Sequence, residues 1–134
     1  MSSLCNVMLV DDDDIFVYLT KKTIDKTELI NLMNVVNNGF DAINFFKENA
    51  GNPEALPEII LLDLSMPVMD GWQFLEEYTL LAPQLNKKIV IYIITSSISP
   101  DDIEKARRIA AVSDYMIKPV TKEKLTHIVK SLYV

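Results

Sequence analysis

Acidic, hydroxyl and basic side chains follow four of the five apolar runs in this sequence. Asp11 and Asp12 follow the first run, Asp63 the third, Thr95 the fourth and Lys118 the fifth. Carboxylates from two different runs could hold Mg²⁺, a hard cation that prefers oxygen ligands and keeps several waters. A carboxylate can also act as the nucleophile in phosphoryl transfer, while a hydroxyl and an ammonium group bind oxygens of the transferred phosphoryl group. These residue types therefore suit phosphoryl transfer to an aspartate beside a divalent cation.

The apolar runs are predicted to be the strands that position these groups. The predicted strands are Leu4–Val10, Leu29–Val36, Ile59–Asp63, Ile89–Ile94 and Tyr115–Ile117. A pattern of apolar residues at helical spacing follows each strand, so five strands alternate with five helices. This alternation predicts a doubly wound parallel sheet with right-handed connections and helices on both faces. The carboxyl ends of its strands share one edge, which is where such sheets bind ligands.

Capping residues indicate where two of the helices begin. Asp13 or Asp14 can cap the first helix, directly after the acidic residues at the strand end. Ser99, followed by Pro100 and Asp102, predicts an N-cap, a first helical residue and the acid of a capping box. The run of four aspartates is therefore expected to divide its roles between a cation site and a helix cap.

Length and composition limit the possible classes of protein. A chain of 134 residues has the length of one domain, and its formal net charge of -6 argues against a nucleic-acid surface. The apolar run Ile89–Ile94 is far shorter than the roughly 20 residues that span a bilayer. Met1–Ser3 lack the start of a signal peptide, and the single Cys5 can form no internal disulfide. We therefore expect a cytoplasmic protein with a buried, reduced thiol.

Four motifs in this order resemble the receiver domain of two-component response regulators. They are Val10-Asp11-Asp12, the segment Asp63–Gly71, Ile94-Thr95-Ser96 and Lys118-Pro119. Each motif is weak alone, but all four at the expected spacing are specific, and the resemblance runs from Leu4 to the end of the chain. It implies an α/β, flavodoxin-like (CheY-like) sheet of order 2-1-3-4-5 with five helices. It also implies that residues 1–134 form a single receiver domain with no effector domain.

The resemblance implies a phosphorylation site and a metal site. Asp63 would accept a phosphoryl group from the phosphohistidine of a sensor histidine kinase. Asp12, Asp63 and the backbone carbonyl of Ser65 would bind Mg²⁺, with Asp11 helping through water. A chain of this kind is a phosphoacceptor switch and not an enzyme, beyond assisting its own phosphoryl transfer and dephosphorylation.

The resemblance also implies a route from the phosphoryl group to a partner. Thr95 and Lys118 would bind phosphoryl oxygens, and Thr95 and Tyr115 would be the switch residues that move on phosphorylation. The change would reach the face formed by the fourth helix, fifth strand and fifth helix. Expected partners are a sensor histidine kinase or phosphotransfer protein and a downstream protein target, with neither direct nucleic-acid binding nor membrane insertion. A homodimer through the same face is also compatible with the resemblance.

Two departures and two alternatives accompany this interpretation. Ser96 stands where the family usually has Ala or Gly, and the connection Glu48–Pro57 is longer than typical. One alternative is a pseudo-receiver, an interaction module that keeps the fold without phosphorylation. The other is a phosphatase resembling the haloacid dehalogenases, which would use Asp11-x-Asp13 with Asp11 as the nucleophile. The second fits less well, because it leaves the motif around Asp63 without a role.

Overall fold

A computed structural model describes residues 4–133 of the chain. Residues 1–3, on which the expectation about a signal peptide rests, and residue 134 lie outside the described part. The strands are β1 Cys5–Val10, β2 Ile30–Val36, β3 Ile59–Leu62, β4 Val90–Thr95 and β5 Val112–Ile117. The helices are α1 Asp14–Thr27, α2 Gly39–Glu48, α3 Gly71–Leu81, α4 Pro100–Arg107 and α5 Lys122–Leu132. Within this part of the chain, no helix is both long and apolar enough to cross a membrane.

The five strands form one parallel sheet in the order β2-β1-β3-β4-β5, as predicted. Val10 of β1 pairs with Leu62 of β3, so the residues that follow these two strands lie side by side. The order of strands reverses between β1 and β3, which places the expected ligand crevice at their carboxyl ends. The sheet topology therefore brings the acidic residues of two distant segments to one point.

Helices cover both faces of the sheet, and each face has its own hydrophobic core. Under α2 and α3, the rings of Phe46, Phe74 and Tyr78 pack with centroid distances of 5.5 to 6.3 Å. Under α1 and α5, the core includes Phe16 and Leu125. The central strand β3 is buried on both faces, and so is β1 except at the partly buried Asn6, which explains their almost entirely apolar sequences.

The last strand is longer than predicted. We expected it at Tyr115–Ile117, but β5 begins at Val112. The prediction missed the start of the strand because Ser113 and Asp114 are polar residues exposed at the edge of the sheet, and they interrupt the apolar run by which a strand is recognised. An edge strand needs only its inner face to be apolar, so its sequence resembles that of a loop.

The capping predictions are confirmed in part. Asp13 caps α1, and its Oδ1 atom accepts hydrogen bonds from the N–H groups of Ile15 and Phe16. Ser99 is the N-cap of α4, as predicted. The predicted capping box is wrong, because the carboxylate of Asp102 accepts a hydrogen bond from the Ser97 hydroxyl at 2.8 Å. The Ser99 N–H donates to that hydroxyl at 3.3 Å, so Ser97 stands between the two groups.

The opposite edge of the sheet holds Cys5 and the long connection before β3. Cys5 is buried, as expected, and burial together with the nearby Glu58 raises the pKa of its thiol to about 12. In the connection, Leu56 is fully buried, and Lys87 Nζ donates to its carbonyl oxygen at 2.7 Å. The connection is thus fixed to the base of the sheet, away from the acidic residues.

Candidate functional site

Three carboxylates meet at the carboxyl ends of β1 and β3. One carboxylate oxygen each from Asp11, Asp12 and Asp63 lies within 4.8 Å of the others. Asp11 and Asp63 are buried, with 1% and 4% of their surface exposed, whereas Asp12 is exposed. The structure therefore brings together the three carboxylates that the sequence predicted, with solvent access through Asp12.

Lys118 supplies the positive charge of the cluster. Its Nζ atom lies 2.9 Å from Asp11 Oδ2 and 3.6 Å from Asp63 Oδ1. The backbone N–H of Lys118 donates to the carbonyl oxygen of Thr95 at 2.8 Å, which holds the residue beside the end of β4. The Lys118–Pro119 peptide bond is cis. Lys118 is therefore held beside the carboxylates at the carboxyl ends of the central strands.

The negatively charged form of Asp63 is disfavoured in this arrangement. Burial and the charge of Asp11 raise the pKa of its carboxyl to about 6, although the charge of Lys118 opposes the shift. One ammonium group faces three carboxylates, so a further cation would relieve their repulsion. The three possible metal ligands that meet here are carboxylate oxygens. Buried Asp11 Oδ2, although close to Lys118 Nζ, accepts no hydrogen bond from the described residues. The donor set fits a hard divalent cation such as Mg²⁺.

Thr95 and Tyr115 contact the same loop residue. Thr95 is buried at the end of β4, and its Oγ1 atom accepts a hydrogen bond from the Ser97 N–H at 3.2 Å. The Tyr115 hydroxyl donates to the carbonyl oxygen of Ser97 at 2.9 Å. Because Ser97 also bonds Asp102 of α4, this loop joins the two predicted switch residues to the start of the helix.

The loop between β3 and α3 closes the site on its other side. Ser65, whose carbonyl we expected near the metal, lies exposed in this loop two residues after Asp63. Val68 adopts a φ of 68°, and the Met69 N–H donates to the Pro67 carbonyl oxygen, which forms a γ-turn. A β-branched residue at positive φ is strained, so the surrounding loop must hold it there.

The start of α3 fixes that loop against the sheet. Asp70 caps the helix and forms a capping box with Gln73. Gly71 donates from its N–H to the Leu64 carbonyl oxygen at 3.0 Å, so the helix begins in direct contact with the end of β3. The backbone around Asp63 is therefore held by α3 as well as by its neighbouring strands.

Phe16 is a site residue that the sequence analysis missed. Its ring centroid lies 4.1 Å from Lys118 Nζ. The sequence marked Phe16 only as an apolar residue of α1, and helical periodicity alone gives no indication of what lies above a ring. Its position five residues after Asp11, in the first turn of a helix that starts at the site, is the one signal that points to it.

Five parallel strands in the order 2-1-3-4-5, with five helices, match the flavodoxin-like CheY fold. The family model described as "Response regulator receiver domain" matches residues 7–130. The chain belongs to the response regulator receiver family. Receiver domains of this family act in two-component phosphorelay signalling and bind Mg²⁺ at an acidic pocket. The phosphatase alternative is not favoured by these matches.

Known proteins with similar sequences differ in length and role. The chain is 25% identical to the "Probable methanogenesis regulatory protein FilR2" of Methanothrix harundinacea over 94% of this chain and 79% of that protein. It is 28% identical to a protein-glutamate methylesterase/protein-glutamine glutaminase of Azospirillum brasilense, covering 89% of this chain and 28% of that enzyme. The chain thus spans less than a third of this enzyme.

Solved structures confirm the fold. A two component response regulator from Cytophaga hutchinsonii superimposes with a TM-score of 0.88 at 28% identity, covering 98% of each chain. The CheX-CheY-BeF3-Mg+2 complex from Borrelia burgdorferi contains a chain with a TM-score of 0.74 at 23% identity, covering 97% of this chain and 90% of that one. The second likeness concerns the fold alone.

Proposed function

We propose that this chain is a phosphoacceptor switch in which Asp63 receives a phosphoryl group from a sensor histidine kinase or phosphotransfer protein. The observation that supports it most is the cluster of Asp63 with Asp11, Asp12 and Lys118 at the switch point of the sheet. Asp12, Asp63 and the Ser65 carbonyl would hold Mg²⁺, with Asp11 acting through water. The chain itself then needs no substrate pocket, because its substrate is carried by another protein.

In the transfer, an Asp63 carboxylate oxygen forms a bond to phosphorus while the bond between phosphorus and the donor's imidazole nitrogen breaks. The imidazole keeps the electron pair and takes up a proton. The metal, when bound, neutralises charge on the phosphoryl oxygens. Lys118 lies within 3.6 Å of Asp63, so a small movement away from Asp11 brings its ammonium group to a phosphoryl oxygen. The Thr95 hydroxyl donates to another.

The loop at Ser97 is the proposed route to the output surface. A Thr95 hydroxyl that turns toward the phosphoryl group would weaken its contact with the Ser97 N–H. The same residue holds the Tyr115 hydroxyl and the Asp102 carboxylate, so its displacement would change both β5 and the start of α4. A downstream protein that binds the face formed by α4, β5 and α5 would detect this population shift.

Incubation with acetyl phosphate tests the proposal on the full chain. We expect intact-mass analysis to show one added phosphoryl group with Mg²⁺ and none with excess chelator, because the carboxylates need a cation to accept a dianion. The absence of any adduct, both here and with a phosphorylated histidine phosphotransfer protein, would support the pseudo-receiver alternative. An adduct that disappears in Asp11→Asn and is mapped to Asp11 would support the phosphatase alternative.

The first turns of α1 offer a contact surface for the protein that donates the phosphoryl group. Ile15, Tyr18 and Leu19 are 74%, 56% and 54% exposed, and their spacing places them on one side of the helix. Since α1 begins at the acidic edge, this apolar patch flanks the site. A histidine on another protein can reach Asp63 only if that protein contacts such flanking surfaces.

We expect the double variant Ile15→Ser/Leu19→Ser to slow phosphotransfer from a protein donor by at least about tenfold. Transfer from acetyl phosphate should stay within about twofold of wild type, since neither side chain touches the cluster. Leu80→Ser is the matched control, because Leu80 is 76% exposed on the far end of α3. Rates would be followed by radiolabel transfer. Equal slowing with both donors would show damage to the site and contradict a docking role.

A further inference from the structure

The ammonium group of Lys118 lies close to three other side chains. Two are the carboxylates of Asp11 and Asp63, at 2.9 and 3.6 Å. The third is the ring of Phe16, whose centroid is 4.1 Å from Nζ. The proposed function gives the carboxylates their roles and leaves the ring without one.

Phe16 is held firmly in this position. Its backbone N–H donates to the Asp13 carboxylate at 3.1 Å, so the cap of α1 fixes the start of the helix and the ring with it. Only 8% of its surface is exposed, and the ring packs in the core between the sheet, α1 and α5. A side chain buried in this way offers a rigid wall to the lysine.

An aromatic wall has properties that suit a lysine that must change partners. The face of a phenyl ring carries partial negative charge and attracts an ammonium group within about 6 Å of its centroid. An aliphatic wall would lack this attraction. A carboxylate in the place of the ring would bind the lysine too strongly and would repel the incoming phosphoryl group. The ring therefore orients the ammonium group without competing for it.

We infer that Phe16 is a positioning residue for phosphoryl transfer, whose ring face holds the Lys118 ammonium group over Asp63. The inference rests on the proposed function, in which Lys118 binds a phosphoryl oxygen. Without the ring, the flexible lysine side chain would spend more time turned toward solvent. Phosphorylation would then slow even with the metal site intact.

Fluorination of Phe16 separates the charge of the ring face from its shape. Phenylalanines with increasing fluorine content, introduced at position 16 of the full chain, weaken the attraction for a cation while nearly preserving the volume of the ring. At saturating Mg²⁺ we expect the rate of phosphorylation by acetyl phosphate to fall stepwise, by about 3- to 10-fold for the most fluorinated ring. The same series at Phe46 is the control, because this ring is fully buried and is not among the rings that lie under a lysine in the described part of the chain. A flat series at position 16 would overturn the inference.

A spectroscopic measurement on the metal-free protein tests the contact itself. Methylene protons of Lys118 close to the ring should show ring-current shifts in NMR spectra, which Phe16→Leu should remove and Phe16→Tyr should retain. Ile24→Val, a core change on the same helix, should leave those signals in place. Unshifted Lys118 signals in the wild type would contradict the inference.

The two measurements also distinguish the inference from the function on which it rests. A wild type that forms no adduct on Asp63 but shows the shifted Lys118 signals would refute phosphoryl transfer and leave the ring–lysine contact as a structural fact. An adduct that forms at an unchanged rate across the fluorinated series would confirm the function and refute the role of Phe16.

Discussion

Asp63→Asn is expected to abolish the phosphoryl adduct and, at the same time, to stabilise the metal-free protein. The first effect follows because an amide lacks the nucleophilic carboxylate oxygen. The second follows from the burial of Asp63 beside Asp11, which raises the pKa of its carboxyl to about 6. The group that performs the proposed chemistry is therefore expected to weaken the fold.

The sign of the pH dependence is fixed by the direction of this shift. The folded state holds the Asp63 proton more tightly than the unfolded state, in which the carboxyl has its ordinary pKa of 3.8. Any stabilising contribution of the group is thus present below pH 3.8 and is lost as the pH rises to about 6. Above that pH the charged form costs the metal-free protein about 1 to 3 kcal/mol, which Asn avoids.

Thermal unfolding in excess chelator would measure this cost. We expect Asp63→Asn to unfold at a higher temperature than wild type at about pH 7.5. The difference in unfolding temperature should become small at about pH 4. Asp25→Asn, an exposed acid of α1, controls for the loss of one charge. Mg²⁺ should stabilise the wild type more than Asp63→Asn. A variant less stable than wild type at both pH values would show that the Asp63–Lys118 pair dominates.

Gly71→Ala is expected to lower the free energy of unfolding strongly, although it adds only one methyl group. A Cβ atom at this position would lie 2.5 Å from the Asp63 carbonyl oxygen and 2.8 Å from the Leu64 Cα atom. Both are backbone atoms of the two residues that follow β3, so neither can rotate away. We expect a loss of about 2 to 3 kcal/mol, or on the order of 10 °C in unfolding temperature.

Gly51→Ala provides the control, because its Cβ would meet no atom within 4 Å. It should unfold close to the wild-type temperature. In Gly71→Ala, relief of the clash must move either α3 or the end of β3, so phosphorylation of the folded fraction should also slow. Calorimetry and the acetyl phosphate assay on both variants measure the two effects. Equal stability of the two variants would mean that α3 shifts freely, contrary to the close contact described here.

The sequence predicted the sheet and most of the site because both depend on strand ends. Apolar runs identify the strands, and the polar residue after each run identifies the edge where parallel strands converge. This reasoning gave Asp11, Asp63, Thr95 and Lys118, which the structure brings to one edge. Their roles in phosphoryl transfer stay predictions.

The features that were missed depend on three-dimensional proximity or on unusual backbone geometry. The contact of Phe16 with Lys118 joins two residues far apart in the sequence, and no local pattern encodes it. The positive φ of Val68 escaped notice because β-branched residues rarely adopt it. Asp102 met the sequence rule for a capping box, but the nearby Ser97 hydroxyl took its place in the folded chain.

Cys5 offers thiol-reactive labels almost no thiolate, because its pKa is about 12 and its side chain is 1% exposed. It is the one cysteine of the sequence. A cysteine introduced at Ile98, which is 75% exposed in the loop beside Ser97, would therefore be labelled selectively in the native background. A fluorophore or spin label there could follow the loop during phosphorylation. The native Cys5 would not have to be replaced, so the packing around β1 would stay unchanged.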